Sequence, residues 1–142
     1  MKYLRKIFES NEDDKRYIEE CFLDISENPN FEVDDLLEIE IDESRGRISR
    51  MFIKKNSDTH CYKIHIELGQ DLSLQPIGNP YIGKVYTSLT FLKMKNEKLS
   101  ELYEDIDIAI KRIKDRFDYK CDVRIQANGR EEIDITILVA KN

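Results

Sequence analysis

Apolar residues recur at helical spacing in two segments of the chain. Between Ser10 and Ile25 they occupy one stripe, at i, i+3, i+4 and i+7: Ile18, Cys21, Phe22 and Ile25. Ser10 or Asn11 can cap this helix, and Asn28-Pro29 ends it because proline cannot continue the backbone hydrogen bonding. The pattern predicts an N-terminal helix with one apolar face.

The second helical segment extends from Asn96 to Phe117. Its stripe repeats every three or four residues: Leu99, Leu102, Ile106, Ile110, Ile113 and Phe117. Acidic side chains fill the first half of its polar face and basic ones the second half, which complements the helix dipole. The spacing also predicts an ion pair between Asp107 and Lys111.

Period-two alternation predicts strands elsewhere. Three such runs lie before residue 70: Leu37, Ile39 and Ile41; the mixed run 48–53; and Tyr62, Ile64, Ile66 and Leu68. Turn-forming residues separate these runs, so they are expected to form an antiparallel meander. A further run, Val85, Thr87, Leu89 and Phe91, predicts a fourth strand.

The last strands form a predicted hairpin. Cys121, Val123 and Ile125 precede Asn128-Gly129, a pair typical of a type I′ turn, and alternation resumes from Ile133 to Val139. The predicted fold is α+β: a single antiparallel sheet of five to six strands with two helices on one face, in the order α-β-β-β-(β)-α-β-β. Residues 10–142 are expected to form one domain, preceded by a targeting peptide or short helix at 1–9.

Composition limits the classes of function. Of 142 residues, 40% are hydrophobic and 37% charged, with a net charge of −6 and both signs interleaved, which argues against nucleic-acid or anionic-membrane binding. The three cysteines are far apart and have no CxxC spacing, so they are interpreted as buried thiols in a reducing compartment. No apolar signal or membrane segment is evident, and a cytoplasmic location is predicted.

One stretch has the spacing of a phosphate-binding loop, from Gly78 to Val85. Val85 replaces the hydroxyl residue that would hold magnesium, and Pro80 removes a backbone donor, so the match fails. The surrounding loop, Gly69 to Gly83, is the least regular segment, and Tyr81 and Lys84 are candidate binding residues there. The alternative is a plain connection between strands.

Histidine offers the other candidate chemistry. Lys63, His65 and Glu67 share the polar side of one strand, and Glu38 and Glu40 are expected on the same sheet face. An imidazole beside carboxylates can bind metal or transfer protons, although solvated side chains on an open face are the simpler interpretation. No catalytic motif is present, and no cofactor or metal is predicted.

Three apolar residues fall outside the predicted core stripes: Leu36, Ile108 and Leu138. They are candidates for a partner surface or a homodimer contact. Single exposed apolar residues are also common on protein surfaces, which is the alternative interpretation.

The opening sequence MKYLRKIFES is short, basic and apolar. It resembles the capsid-targeting peptides of internal head proteins in large contractile-tailed bacteriophages. The resemblance implies cleavage by a prohead protease after Glu9, in the pattern Ile7-Phe8-Glu9, followed by packaging in the virion and delivery with the genome. The alternative is a short helix that packs on the core.

These observations predict a non-enzymatic, protein-binding phage protein, packaged in the virion and directed at a host defence enzyme. Its partner is expected to bind either the charged sheet face with Lys63, His65 and Glu67 or the loop from Gly69 to Gly83. Two alternatives remain: a small enzyme or metal-binding domain that uses His65 and nearby carboxylates, and an assembly component that acts by self-association.

Overall fold

A computed structural model describes residues 13–39, 58–69, 72, 88–129 and 131–141. They form, in chain order, α1 (13–21), α2 (Leu23–Ser26), β1 (Phe31–Val33), β2 (Leu37–Ile39), β3 (Thr59–Leu68), α3 (Leu89–Phe117), a 3-10 turn (Asp118–Lys120), β4 (Cys121–Asn128) and β5 (Glu132–Ala140). In the described part of the chain the fold is α+β, with one open antiparallel sheet of five strands and three helices, which confirms the predicted class. The strand order is β1-β3-β5-β4, and β2 also pairs with β3.

The core lies between the helices and one face of the sheet. The predicted stripe of the N-terminal helical segment is buried there, as are Leu102, Ile106 and Ile113 of α3. Tyr62, Ile64, Ile66, Ile135, Ile137 and Val139 supply the sheet side. The expectation that the helices cover one face is therefore confirmed. An ion pair between Asp14 and Lys141 also joins α1 to the residue after β5.

β1 and β2 lie along the same edge of β3 with an offset of one residue. Val33 is opposite Ile66, and Leu37 is opposite Lys63. The chain thus advances four residues from Val33 to Leu37, while the partner strand advances only three. The extra residue works as a β-bulge and reverses which side chains face the helices. Leu36 is consequently 4% exposed and Leu37 59% exposed. The prediction that Leu36 lies opposite the apolar side was wrong.

The long helix begins earlier than predicted. Ser88 is the N-cap, and its hydroxyl accepts a hydrogen bond from the backbone N–H of Phe91 at 3.1 Å. Leu89 and Phe91 are therefore helical, and their assignment to a fourth strand was wrong. The predicted pair of Asp107 and Lys111 is present at 2.9 Å.

The C-terminal hairpin is present, with β4 and β5 antiparallel, but its turn differs from the prediction. Pairing continues to Asn128 opposite Glu132, so the loop comprises residues 129–131. Gly129 has a φ of 74°, and Asn128 belongs to the strand, so the pair does not form the centre of a two-residue type I′ turn. The hairpin was predicted correctly and its turn type was not.

Several predictions lie outside the described residues. These are the strand at 48–53, the residues Ile7, Glu9, Glu40, Ile41, Tyr81, Lys84 and Val85, and the failed phosphate loop. Of the predicted irregular loop, Gly69 and Leu72 are described, and the N–H of Leu72 donates to the carbonyl of Gly69 at 3.0 Å. None of the described helices combines the length and apolarity that a membrane crossing requires.

Candidate functional site

The sheet face opposite the helices carries a row of polar side chains from β3. Ile64 and Ile66 face the core, so Lys63, His65 and Glu67 face away from it. They meet β5 through the strand register. His65 lies opposite Asp134, and Glu67 lies opposite Glu132.

His65 is held between two carboxylates. Its Nδ1 is 2.5 Å from Oδ1 of Asp134, and its Nε2 is 2.7 Å from Oε1 of Glu67. Glu132 completes the group, since ligand atoms of His65, Glu67 and Glu132 all lie within 4.8 Å of one another. We call these four residues the His65 cluster.

Hydrogen bonding shifts the pKa of both central members. The hydrogen bonds that Asp134 and then Glu67 accept from the ring raise the pKa of His65 above its ordinary value, because they favour the imidazolium. Burial acts to raise the pKa of Asp134, but its bonds to His65 and Asn128 and the charge of Lys63 together hold it below the ordinary value. The hydrogen bonds thus favour the imidazolium form of His65 and the carboxylate form of Asp134.

The second histidine occupies a different environment. His60 lies on the helix-facing side of β3, with Nδ1 2.6 Å from Oε1 of Glu38 and Nε2 3.5 Å from Oδ1 of Asp58. Glu38 was expected to share the face of His65. The offset between β1 and β2 places it instead opposite Tyr62, on the other side of the sheet, so that expectation was wrong.

A second surface lies at the β4 edge of the sheet, between α3 and β4. A groove of about 630 Å³ opens there. Its apolar lining consists of Leu92, Leu99, Tyr103, Ile106, Ile110, Ile125, Ala127 and Ile133. Ile125 is 55% exposed and Tyr103 53% exposed. We call this surface the α3–β4 groove.

Polar groups surround the groove at its ends. Lys95 pairs with Glu131 at 3.1 Å, and Asp107 pairs with Lys111. Within the described ranges β4 pairs with β5 alone, so the backbone groups along its other edge have no strand partner there. The groove thus combines exposed apolar side chains with an open strand edge.

The remaining candidates separate into exposed and buried residues. Ile108 is 49% exposed on α3 and outside the groove, whereas Leu138 is 3% exposed, so the assignment of Leu138 to a partner surface was wrong. Burial raises the pKa of all three cysteine thiols, and Cys21 and Cys61 are buried. Such thiols are poor nucleophiles and poor metal ligands.

Sequence reasoning missed Glu132 and Asp134. The signal for them was present, because alternation along the last strand places both on its polar side, but only the register reveals that they meet His65. Comparisons with protein-family models, with curated proteins and with solved structures gave no match to the chain.

Proposed function

We propose that the chain is a non-enzymatic protein-binding protein whose contact surface is the α3–β4 groove. The observation that carries the proposal is the outer edge of β4, which has no strand partner among the described residues and lies beside exposed apolar side chains. Apolar patches of this kind, with a polar surround, are typical of interaction sites.

The occupant that fits is an extended segment of a partner protein. A strand added to β4 satisfies the backbone groups of its open edge, and main-chain hydrogen bonds of this kind supply affinity. Ile125 and Ala127 lie on the groove side of β4, since alternate residues face the same side. Every second side chain of the added strand would therefore enter the groove beneath α3.

The length of the groove agrees with such an occupant. Its α3 wall extends from Leu92 to Ile110, and a helix rises about 1.5 Å per residue, so the wall is roughly 27 Å long. An extended chain of about eight residues covers that distance. The β4 strand itself has eight residues, Cys121–Asn128.

A displayed library of random 12-residue peptides tests the proposal, selected on the wild-type protein and counter-selected on I125E. We expect enriched peptides in which apolar residues alternate with period two, and slower amide exchange in β4 when such a peptide is bound. I108E is the matched control, because Ile108 is similarly exposed on α3 but lies outside the groove. I108E should bind the selected peptides as tightly as the wild type does.

Three outcomes would overturn this assignment. Peptides with helical spacing of apolar residues would replace the strand with a helix as occupant. A dimer in light scattering that I125E dissociates would make a second copy the occupant. Equal enrichment of peptides on wild type and on I125E would show that the groove is not the contact surface.

The biological setting of the proposal is a phage protein, packaged in the virion and delivered into the host cytoplasm, where it binds a defence enzyme. Its support is the resemblance of residues 1–9 to capsid-targeting peptides. Intact mass of the protein recovered from purified particles tests it. We expect a chain that begins after Glu9, and an uncut chain, or absence from the particles, would contradict the packaging.

A further inference from the structure

The His65 cluster lies on the other face of the sheet from the α3–β4 groove and shares only Glu132 with the border of the groove, and its geometry points to a ligand of its own. We propose that it binds a divalent transition-metal cation of the Zn²⁺ class. The ligands are Nε2 of His65 and the carboxylates of Glu67 and Glu132. Asp134 is a positioning residue that holds the imidazole.

The first argument is the orientation of the imidazole. Histidines that bind metals usually donate the other ring N–H to a carboxylate, which fixes the tautomer and the ring plane. In this structure Nδ1 of His65 meets Asp134, whose side chain is 12% exposed, while Nε2 is directed to Glu67. A second bond, from the amide of Asn128, restrains Asp134 in turn. The imidazole is therefore already oriented for a metal on Nε2.

The second argument is the alignment of glutamates across the sheet. Glu32 on β1 lies opposite Glu67 on β3, which lies opposite Glu132 on β5. Like charges directly opposite each other on neighbouring strands destabilise a sheet. Three glutamates in one cross-strand row are costly unless a cation lies among them.

The third argument is the balance of charge. These three glutamates and Asp134 supply four carboxylates, whereas the lysine that acts on Asp134 among the described residues is Lys63 alone. Arg124, on the same face, is 3.0 Å from Asp122, toward the far end of the sheet. A divalent cation offsets part of this excess of negative charge.

The donor set selects the class of metal. One imidazole nitrogen and two carboxylate oxygens suit Zn²⁺ and related ions, whereas Mg²⁺ and Ca²⁺ prefer oxygen ligands alone. Ligand atoms that share a tetrahedral zinc lie about 3.3 Å apart. The ligand atoms of the three residues lie within 4.8 Å of one another, so binding requires the two glutamate side chains to move closer to Nε2. Nε2 gives up its proton as the metal binds.

Titration of the full chain with ZnCl₂, in competition with a chromophoric chelator, tests the proposal. We expect one saturable site, which weakens by roughly ten-fold to a hundred-fold or more in H65N and in E67Q. D134N should weaken zinc binding by a similar factor, because the imidazole ring is no longer held in place. Zinc should shift the imidazole resonances of His65 in the wild type, and this shift should differ in D134N. Circular dichroism establishes that each variant is folded.

H60N is the matched control, because His60 is also flanked by two carboxylates, but within the described part of the chain His60, Glu38 and Asp58 do not bring three ligand atoms within 4.8 Å of one another. Its zinc affinity should equal that of the wild type. Loss of binding in H60N, unchanged binding in H65N, or absence of any saturable site would each overturn the proposal. A thiolate-to-metal charge-transfer band after Co²⁺ substitution would also overturn it, by assigning the metal to cysteine.

Discussion

Tyr62 is a buried residue whose hydroxyl has no hydrogen-bond partner among the described residues. The side chain is 0% exposed, and it lies on β3 opposite Glu38 and Ile137. Burial, and then the charges of Glu38 and Asp14, raise the pKa of the phenol far above its ordinary range. The hydroxyl is thus desolvated without compensation, next to groups that disfavour its ionisation.

We therefore expect Y62F to stabilise the protein. A buried hydroxyl without a partner costs about 1–3 kcal/mol, and the loss of one oxygen leaves only a small gap in the packing. The net gain should be about 1 kcal/mol in the free energy of unfolding. Urea unfolding followed by circular dichroism measures it, with an unchanged m-value. Y103F, at an exposed tyrosine, should change stability by no more than about 0.5 kcal/mol.

The pH dependence gives a second measurement of the same effect. Because the pKa is raised in the folded state, titration of Tyr62 leaves the stability of the wild type unchanged below the unfolded pKa of about 10 and lowers it as pH rises above that value. Y62F should therefore lose less stability than wild type in that alkaline range. A loss of about 1 kcal/mol or more in Y62F at neutral pH would refute the reasoning, because it would mean that the hydroxyl has a partner.

Four further predictions concern stability. With EDTA present, the raised pKa of His65 gives a contribution to the free energy of unfolding that is present below about pH 6.5 and is lost as pH rises through the folded pKa. The urea midpoints of H65N and wild type should therefore converge as pH rises through that range. Parallel pH profiles of the two proteins would contradict this. G69A should cost about 1–3 kcal/mol, because a Cβ would lie 3.0 Å from the carbonyl oxygen of Asn30. G129A should cost about 1 kcal/mol, because Gly129 has a positive φ and no atom near its Cβ position. Thermal unfolding should show that G129N is close to wild type in stability, whereas G69N is destabilised. I113A removes a fully buried side chain of α3 and should cost about 2–5 kcal/mol in urea unfolding.

The sequence predicted those elements whose periodicity is long and whose ends carry clear signals. The stripe of α3 repeats over six positions, and alternation on either side of Asn128-Gly129 is regular, so helix and hairpin were both identified. The start of α3 was missed because Leu89 and Phe91 alternate as in a strand. The cap hydrogen bond of Ser88 decides the local conformation there, and alternation does not reveal it.

Register explains most of the remaining differences. A single extra residue between β1 and β2 moves Leu36 into the core and Glu38 away from His65. Such an offset depends on how two strands pair, and neither strand encodes it alone. The meeting of His65 with Asp134, 69 residues later, likewise depends on non-local pairing. The groove arises from how much of β4 the long helix leaves uncovered, which periodicity does not specify.

The strand β5 connects the two proposed sites, because alternate residues of one strand face opposite sides of the sheet. Glu132 belongs to the His65 cluster and also borders the α3–β4 groove, whereas the next residue, Ile133, lines the groove only. Substitution of Glu132 would therefore disturb both surfaces and identify neither. H65N and E67Q alter the cluster without touching a groove residue, and I125E does the reverse. Metal binding and peptide binding can thus be abolished separately, so failure of one proposal leaves the other open to test.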